Sequence, residues 1–476
     1  MSTALFIGRF QPFHQGHLDA IKQISEDEII IGIGSSQYSK TDDNPYSFEE
    51  RQKMIEKTLL MLSETTERSE VETSRSSAHR QRDPSTPLRS AQDIKIIAIP
   101  DIHNEDNWVE HVKNIVGEFD VVYTGNDWVK KLFEEKNYIV KTIQKNMDIS
   151  ATEIRKETSR LFEKLHKTCF TEADCERIAP LTLEINKLKH EQNAVILAHS
   201  YQTPDIMYGV ADYIGDSYGL SKIASEVDAD KIIFCSVYFM GETAKILNPD
   251  KQVLVPTISG CSLAESINAE DVKKLKIEHP GVPVVCYINT YAEVKAECDL
   301  VCTSANALKV IESLNSEEVI FVPDNLMGRN LQKLTNKKLI LWDGTCTVHE
   351  EFNPESIIKL RKQYPNAKIL AHTECNPAVV DHADLAGSTT DMVNYVANHD
   401  DDVMLVTECG ITDRIKTEFP ERNIVGTCNL CPYMKKIKLE DILGALKNPT
   451  KEQIIEINSD IIEKAKLALD KMMKIK

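Results

Sequence analysis

Ile196-Leu197-Ala198-His199-Ser200-Tyr201 is a short apolar run that ends in an imidazole and a phenol, and the chain repeats its design twice. Its counterparts are Val284-Val285-Cys286-Tyr287-Ile288-Asn289 and Ile369-Leu370-Ala371-His372-Thr373-Glu374. Apolar runs of this length closed by polar groups read as buried strands of a parallel sheet, with the chemistry at the carboxyl end. After each comes a hydroxyl-bearing cluster that opens a helical pattern: Gly215-Asp216-Ser217, Thr303-Ser304-Ala305-Asn306 and Gly387-Ser388-Thr389. A further strand follows in each case, at residues 232–234, 319–322 and 403–406. Each unit then delivers one cysteine, Cys261, Cys346 and Cys431, at equal intervals of 85 residues. Repetition on this scale predicts three like α/β units. Arranged about a pseudo-threefold axis, they would bring strand ends, hydroxyls and thiolates to one centre.

Working outward, the bulk properties bound the answer. A chain of 476 residues is too long for one ordinary core, so two to four domains are expected. The net charge of −18 argues against nucleic acid or an anionic membrane as partner. No apolar run is long enough to span a bilayer. The first eight residues lack the basic region and apolar length of a signal peptide, so a cytoplasmic location is expected.

All twelve cysteines lie at or after Cys169, although by proportion the first 168 residues would hold about four. The step marks two unrelated regions, and we place their junction at residues 158–177. In a reducing cytosol the expected fates of cysteine are metal ligation, catalysis or burial, and disulfides are not expected. Three convergent thiolates leave zinc, a cluster or simple burial open. Zinc usually takes short paired spacings, of which Cys428-x-x-Cys431 is a lone half-site. One cysteine per unit suits a 4Fe–4S cluster better, in which three thiolates leave one iron open as a Lewis acid. The other nine, Cys235, Cys375 and Cys409 among them, read as small buried apolar groups.

The first region opens with a strand, Ala4-Leu5-Phe6-Ile7-Gly8, and turns through Arg9-Phe10-Gln11-Pro12-Phe13 into His14-Gln15-Gly16-His17 and a helical pattern. Further strands read at residues 28–33, 94–99 and 121–123, and a helix from about Phe48. This alternation predicts a parallel sheet covered on both faces, with ligands at the strands' carboxyl ends. Residues 63–92, rich in Ser, Thr, Arg and Glu, read as a disordered insertion.

The run from Gly8 to His17, with Asn44-Pro45-Tyr46, Glu50-Arg51, Tyr123-Thr124-Gly125-Asn126 and Ile149-Ser150-Ala151-Thr152-Glu153-Ile154-Arg155, resembles the archaeal-type nicotinamide-mononucleotide adenylyltransferases over residues 1–157. The resemblance implies a Rossmann-like nucleotidyltransferase domain. It would transfer adenylate from ATP to nicotinamide or nicotinate mononucleotide, with Mg²⁺ bridging phosphates. His14 and His17 would contact the ATP phosphates beside the helix N-terminus and the turn at Gly8. Arg9 and Arg155 would stabilise the transferring and leaving groups, and Ser150 and Thr152 would donate from a second helix. Ala151 stands where the family usually has glycine. Two other readings of this domain are a non-catalytic nucleotide sensor and a different nucleotidyltransferase.

Ala198-His199-Ser200-Tyr201-Gln202, Phe239-Met240-Gly241-Glu242-Thr243-Ala244-Lys245, Gly260-Cys261-Ser262-Leu263, Gly344-Thr345-Cys346-Thr347-Val348-His349-Glu350, His372-Thr373-Glu374-Cys375 and Cys431-Pro432-Tyr433-Met434 resemble quinolinate synthase over residues 178–476. That implies condensation of iminoaspartate with dihydroxyacetone phosphate, losing phosphate and water, at a 4Fe–4S cluster held by Cys261, Cys346 and Cys431. Ser217, Ser304, Ser388 and Thr389 would hold carboxylates and phosphate. His199, Tyr201, His372 and Glu374 are the acid/base candidates. Tyr287 and Asn289 would orient the substrate, with Tyr287 a second proton donor. The chain is therefore expected to be an α/β enzyme with two activities of NAD biosynthesis. Its partners would be these small molecules, and a homo-oligomer is left open.

Overall fold

A computed structural model describes residues 2–13, 15–41, 44, 46–56, 58–59, 94–102, 104–142, 150–426 and 428–475. His14 and the expected insertion at 63–92 lie outside the described residues. The chain divides into two compact units, Met1–Lys156 and Glu157–Lys476. Among the described residues no helix is long and apolar enough to cross a membrane.

The first unit is a five-stranded parallel sheet of β1 (Thr3–Gly8), β2 (Glu28–Ile33), β3 (Ile94–Ala98), β4 (Val121–Thr124) and β5 (Ile139–Thr142), in the order β3-β2-β1-β4-β5. β1 is continuously apolar because it is central and buried on both faces. Ala4 and Phe6 pack with Leu18, Ile21 and Ile55 on one side, while Leu5 and Ile7 pack with Trp108, Val112 and Phe133 on the other. Strand order reverses across β1, which opens a crevice at the carboxyl ends of β1 and β4. β5 was not legible in the sequence: it is an edge strand whose four residues are exposed except for half-buried Val140.

The second unit contains three four-stranded parallel sheets of one topology. The first comprises β6 (Ala194–His199), β7 (Tyr213–Gly215), β8 (Lys231–Cys235) and β9 (Gln252–Leu254), ordered β7-β6-β8-β9. The second comprises β10 (Val284–Tyr287), β11 (Leu300–Cys302), β12 (Glu318–Val322) and β13 (Lys338–Leu341), ordered β11-β10-β12-β13. The third comprises β14 (Lys368–His372), β15 (Leu385–Gly387), β16 (Val403–Val406) and β17 (Ile424–Val425), ordered β15-β14-β16-β17. The first and third strands of each sheet are those read from the sequence. The second and fourth have four residues or fewer, too short to carry a periodic signal.

Side-chain to backbone and side-chain to side-chain hydrogen bonds close the three repeats into a ring. Ala292 N donates to Glu242 Oε2 (2.9 Å), joining the first repeat to the second. Asn330 Nδ2 donates to the carbonyls of Thr373 (2.9 Å) and Cys375 (2.8 Å), joining the second to the third. Thr390 Oγ1 donates to Asp216 Oδ2 (2.5 Å), joining the third back to the first. The last helix, Ser459–Lys474, buries Ala465, Leu469 and Met472 in the core of the second repeat.

One expectation is corrected. Cys409 and Cys428 form a disulfide, where Cys409 was read as a free buried thiol and disulfides were not expected. Topology is the cause: Glu408 pairs in parallel with Asn429, and Cys409 N donates to Asn429 O at 3.0 Å. The segments after β16 and β17 therefore run side by side, with the two Cα atoms 5.0 Å apart, inside disulfide range. Cys235 and Cys375 are free and buried, as expected, whereas Cys169 is exposed.

The third repeat also meets the first at Gly410, where a Cβ would stand 2.6 Å from Ser200 O and 2.7 Å from Tyr201 Cα. Backbone on the far side cannot give way. Gly410→Ala is expected to destabilise the second unit by about 1–3 kcal/mol. Gly444→Ala, in a helix with nothing within 4 Å of the new methyl, is the control and should cost nothing. Urea midpoints compare them; equal midpoints would remove the close approach as a constraint.

Candidate functional site

The central strand of each repeat ends on a residue whose side chain faces one common cavity: His199 from β6, Tyr287 from β10 and His372 from β14. Two residues further on stand Tyr201, Asn289 and Glu374, which line the same cavity. The turns after β7, β11 and β15 add Ser217, Ser304 and Thr389. Cys261, Cys346 and Cys431 complete the wall. Ser388 does not line it. Its hydroxyl caps the helix Thr389–Asn398, donating to Asp391 Oδ2 (2.8 Å) and accepting from Asp391 N (3.2 Å). Asp216 performs the same service in the first repeat, accepting from Gly219 N at 2.8 Å.

Hydrogen bonds settle the polarity of the two histidines. Tyr201 N donates to His199 Nδ1 (3.1 Å), and Glu374 N donates to His372 Nδ1 (3.3 Å). With Nδ1 an acceptor, each neutral ring carries its proton on Nε2. Burial enforces neutrality, pushing His199 down to about 3 and His372 to about 4. Burial pushes the Glu374 carboxyl up, but His372, His349 and Tyr287 together outweigh it and hold the group well below the usual carboxylate range. Tyr287 Oη donates to Glu374 Oε1, and His349 Nδ1 lies 2.8 Å from Oε2. Burial, then the Glu374 charge, raises both Tyr201 and Tyr287, so the phenols keep their protons. Burial, then the same charge, raises the neighbouring Asp324 carboxyl. Asn289 Oδ1 has no hydrogen-bond partner among the described residues, which leaves an acceptor on the cavity wall.

His349 was quoted in a motif but given no role in the sequence reading. Its signal was local: Cys346-x-x-His349 places thiol and imidazole on one helical turn. Cys346, His349 and Glu374 offer ligand atoms that all lie within 4.8 Å of one another.

The three thiols share a local design. Backbone N–H groups of Leu263 and Ala264 point at the Cys261 sulfur, that of His349 at Cys346, and those of Tyr433 and Met434 at Cys431. Such donors stabilise thiolates bound to a cation. Burial raises all three thiols, Cys261 to about 12, so they are protonated without a metal. Cys431 N is held by Glu408 Oε1 (3.1 Å), itself paired with Lys435 (3.0 Å). The three sulfurs do not all fall within 4.8 Å of one another. A single tetrahedral zinc ion would draw its thiolates to about 3.8 Å apart.

In the first unit a separate cleft of about 540 Å³ lies at the carboxyl ends of the strands, lined by Gly8, Arg9, Gly34, Ser35, Asp101, Trp108, Asn126 and Trp128. Arg51 is fully buried and donates to the carbonyls of Arg9 (2.8 Å), Gly34 (2.9 Å) and Ser35 (3.3 Å), bracing the two loops that form its floor. Arg155 donates to Gln11 O (3.2 Å) and to Thr152 Oγ1 (3.3 Å). Ser150 Oγ caps its helix, bonded to the Glu153 carboxylate at 2.6 Å. The His17 ring stacks on Phe13 (5.4 Å) and meets Phe10 edge-on (4.9 Å). Of the residues assigned to the nucleotide, Gly8 and Arg9 line the cleft, while His17, Ser150, Thr152 and Arg155 are not in its lining.

Comparison with known proteins divides the chain in the same way. Residues 183–474 match the family described as NadA: Quinolinate synthetase A protein, and residues 5–157 match the cytidylyltransferase-like family. The quinolinate synthase of Sinorhizobium fredii (strain NBRC 101917 / NGR234) is 46% identical over 325 residues, covering 68% of this chain and 90% of its own length. That of Caulobacter vibrioides (strain NA1000 / CB15N) is 43% identical over 327 residues, covering 67% and 88%. A solved bifunctional NMN adenylyltransferase/ADP ribose pyrophosphatase from Francisella tularensis, complexed with AMP and a Mn ion, is 20% identical, with a TM-score of 0.25. That alignment covers 41% of this chain and 59% of the other. Likeness at that level bears on no function. Three like α/β units around one acid/base cavity, preceded by a nucleotidyltransferase-like domain, define a two-part α/β enzyme. The chain belongs to the quinolinate synthetase A family.

The neutral histidines make stability depend on pH. In the unfolded chain both protonate near pH 6.5, but in the fold only near 3 and 4. Between about pH 6.5 and 4 the unfolded state therefore binds more protons, and stability is lost as pH falls. The urea midpoint of the metal-free protein is expected to drop from pH 7 to 4.5. A His199→Gln/His372→Gln variant should drop less steeply, and equal slopes would contradict the assignment.

Proposed function

We propose that the chain makes quinolinate from iminoaspartate and dihydroxyacetone phosphate in residues 178–476. We also propose that residues 1–157 transfer adenylate from ATP to nicotinamide or nicotinate mononucleotide, with 158–177 as the junction. The observation that carries the first activity is the meeting of three equally spaced cysteines with His199, Tyr201, Tyr287, His372 and Glu374 on one cavity. Cys261, Cys346 and Cys431 would hold a 4Fe–4S cluster, and the donor set fits it. Three cradled thiols, one per repeat, are spread wider than one zinc ion needs. When bound, a cluster with three thiolates supplies an open iron that acts as a Lewis acid.

The residues themselves perform the rest. Both substrates are anions, and the cavity meets them with donors: the Nε2–H groups of His199 and His372 and the hydroxyls of Ser217, Ser304 and Thr389. Ring closure with loss of phosphate and water requires protons to be taken and returned. Tyr287 suits that task, since its oxygen can accept a substrate proton while its own passes to Glu374. Asn289 Oδ1 is left to orient a donor group of the substrate.

The second activity is supported by the cytidylyltransferase-like match and by a cleft that pairs Arg9 with two tryptophans, Trp108 and Trp128, whose rings are 5.1 Å apart. A guanidinium suits phosphate and indole faces suit a planar base. Adenylyl transfer needs charge neutralisation and positioning, with Mg²⁺ bridging the phosphates, and no protein nucleophile.

In anaerobically purified protein, Cys261→Ser, Cys346→Ser and Cys431→Ser are each expected to lose iron and quinolinate formation together. Cys428→Ser, which removes only the disulfide with Cys409, should keep its iron. Iron retained in Cys431→Ser but lost in Cys428→Ser would reverse the ligand assignment. Exposure to air is expected to abolish quinolinate formation in the same sample, because no fourth thiolate shields the open iron. Pyrophosphate release from ATP and nicotinamide mononucleotide should continue there, and Arg9→Ala should slow it by about 100-fold or more. Absence of any such release from the wild type would leave the first domain a sensor.

A further inference from the structure

The turn that leaves the central strand is built differently in the second repeat. After β6 and β14 a backbone bond closes it, from Gln202 N to His199 O (2.9 Å) and from Cys375 N to His372 O (3.0 Å). The residue between is pinned as well, since Tyr201 N and Glu374 N donate to the imidazole Nδ1 atoms. Tyr287 ends β10 with a phenol that is committed to Glu374, and it has no ring nitrogen to offer. Thr290 N turns instead to Ile288 O (2.8 Å), and the Thr290 hydroxyl donates to Tyr287 O (3.2 Å). Asn289, whose Oδ1 lines the cavity unpaired among the described residues, stands in this turn without the imidazole that pins its counterparts.

A cation holds the turn from the side away from the cavity. Lys295 lies on the helix Ala292–Glu297, its side chain is fully buried, and its Nζ donates to Thr290 O. The ammonium also lies 5.3 Å from the centre of the Phe239 ring, which lines the cavity. Burial pushes it down to about 8, opposed by Cys286 and Glu242, so it is a cation at neutral pH. The equivalent positions, eight residues beyond the strand end, hold Met207 and Val380. The fold thus accepts an apolar side chain there, whereas an ammonium taken out of water is costly. A second change accompanies the first. The helix after the turn opens with Pro204 in the first repeat and Pro377 in the third, but with Ala292 in the second. Of the three only Ala292 has an N–H, and Glu242 Oε2 accepts it (2.9 Å). In the third repeat Cys375 O, the counterpart of Thr290 O, is held by the neutral amide of Asn330 (2.8 Å).

We propose that Lys295 is a positioning residue for quinolinate formation, its ammonium holding the turn that presents Asn289 to the substrate. The inference rests on reading this cavity as the quinolinate-forming site. Lys295→Met gives the second repeat the side chain of the first and removes the donor to Thr290 O. Lys295→Gln is uncharged but keeps an N–H for that carbonyl, as Asn330 does for Cys375.

Both variants of the full chain, purified anaerobically, are compared with wild type for kcat, KM for dihydroxyacetone phosphate, and iron and sulfide content. Lys295→Met is expected to lower kcat by about 10- to 100-fold, because a displaced acceptor misorients bound substrate. KM should stay within about 3-fold and iron content should not change, since substrate and metal still bind. Lys295→Gln is expected to recover most of the loss. In an Asn289→Ala background the methionine substitution should cost much less, since the group it displaces is already gone. Wild-type kcat in Lys295→Met overturns the proposal. So does an undiminished loss in the Asn289→Ala background, a glutamine variant as impaired as the methionine one, or activity lost only in step with iron, each of which marks a purely structural lysine. If Lys295→Met does not fold, Lys295→Leu carries the same expectations. Wild-type protein that binds iron yet makes no quinolinate would instead refute the reading of the cavity itself.

Discussion

A carboxylate as deeply buried as that of Glu374, 3% exposed, persists in its charged form only when its surroundings replace the water it has lost. Here the replacement is a phenol, an imidazole and a second imidazole ring stacked 4.6 Å from the first. Each of those groups is fixed in turn. Tyr287 ends β10, His372 ends β14, and His349 sits on the helical turn that begins at Cys346. Displacing any of these elements would leave an uncompensated charge in the middle of the protein, which is strongly destabilising. The charge at Glu374 therefore constrains the register of two repeats and the placement of one thiol. Burial first, and then that charge, raises the Asp324 carboxyl and the phenols of Tyr201 and Tyr287.

The three repeats share a backbone design and differ in what they hang on it. At the end of the central strand stand His199, Tyr287 and His372; two residues on stand Tyr201, Asn289 and Glu374. Equivalent positions in like α/β units converge because parallel strands deliver their carboxyl ends to one side. Symmetry supplies the meeting point, and divergence at equivalent positions supplies the chemistry. The same divergence appears at the hydroxyl clusters, where Ser388 is spent on a helix cap and Thr389 faces the cavity.

The first unit solves a different problem with the same strand geometry. Its cleft floor consists of loop carbonyls, and Arg51 binds three of them with no carboxylate partner among the described residues. A buried guanidinium with five donors can brace two loops at once, which a shorter cation could not. The brace holds the Arg9 turn beside Gly34 and Ser35.

Much of this was legible in the sequence, for identifiable reasons. Continuous apolar runs ending in polar residues marked β6, β10 and β14, and their repetition marked three units. The 85-residue interval singled out Cys261, Cys346 and Cys431 from twelve cysteines, because one ligand per repeat is a property of spacing alone. The short strands, two to four residues long, escaped because pattern needs length. His349 escaped because its importance lies in a contact 25 residues away, with Glu374. The Cys409–Cys428 disulfide contradicted an argument from cellular compartment, since pairing depends on two segments lying side by side and not on composition. Thus the sequence by itself determined the longer buried strands, the repeats and the inventory of reactive groups, all properties of local pattern. Only the tertiary structure decided which of those groups share a proton, a cap or a disulfide, because hydrogen bonds and thiols act over a few ångströms that distance along the chain does not measure.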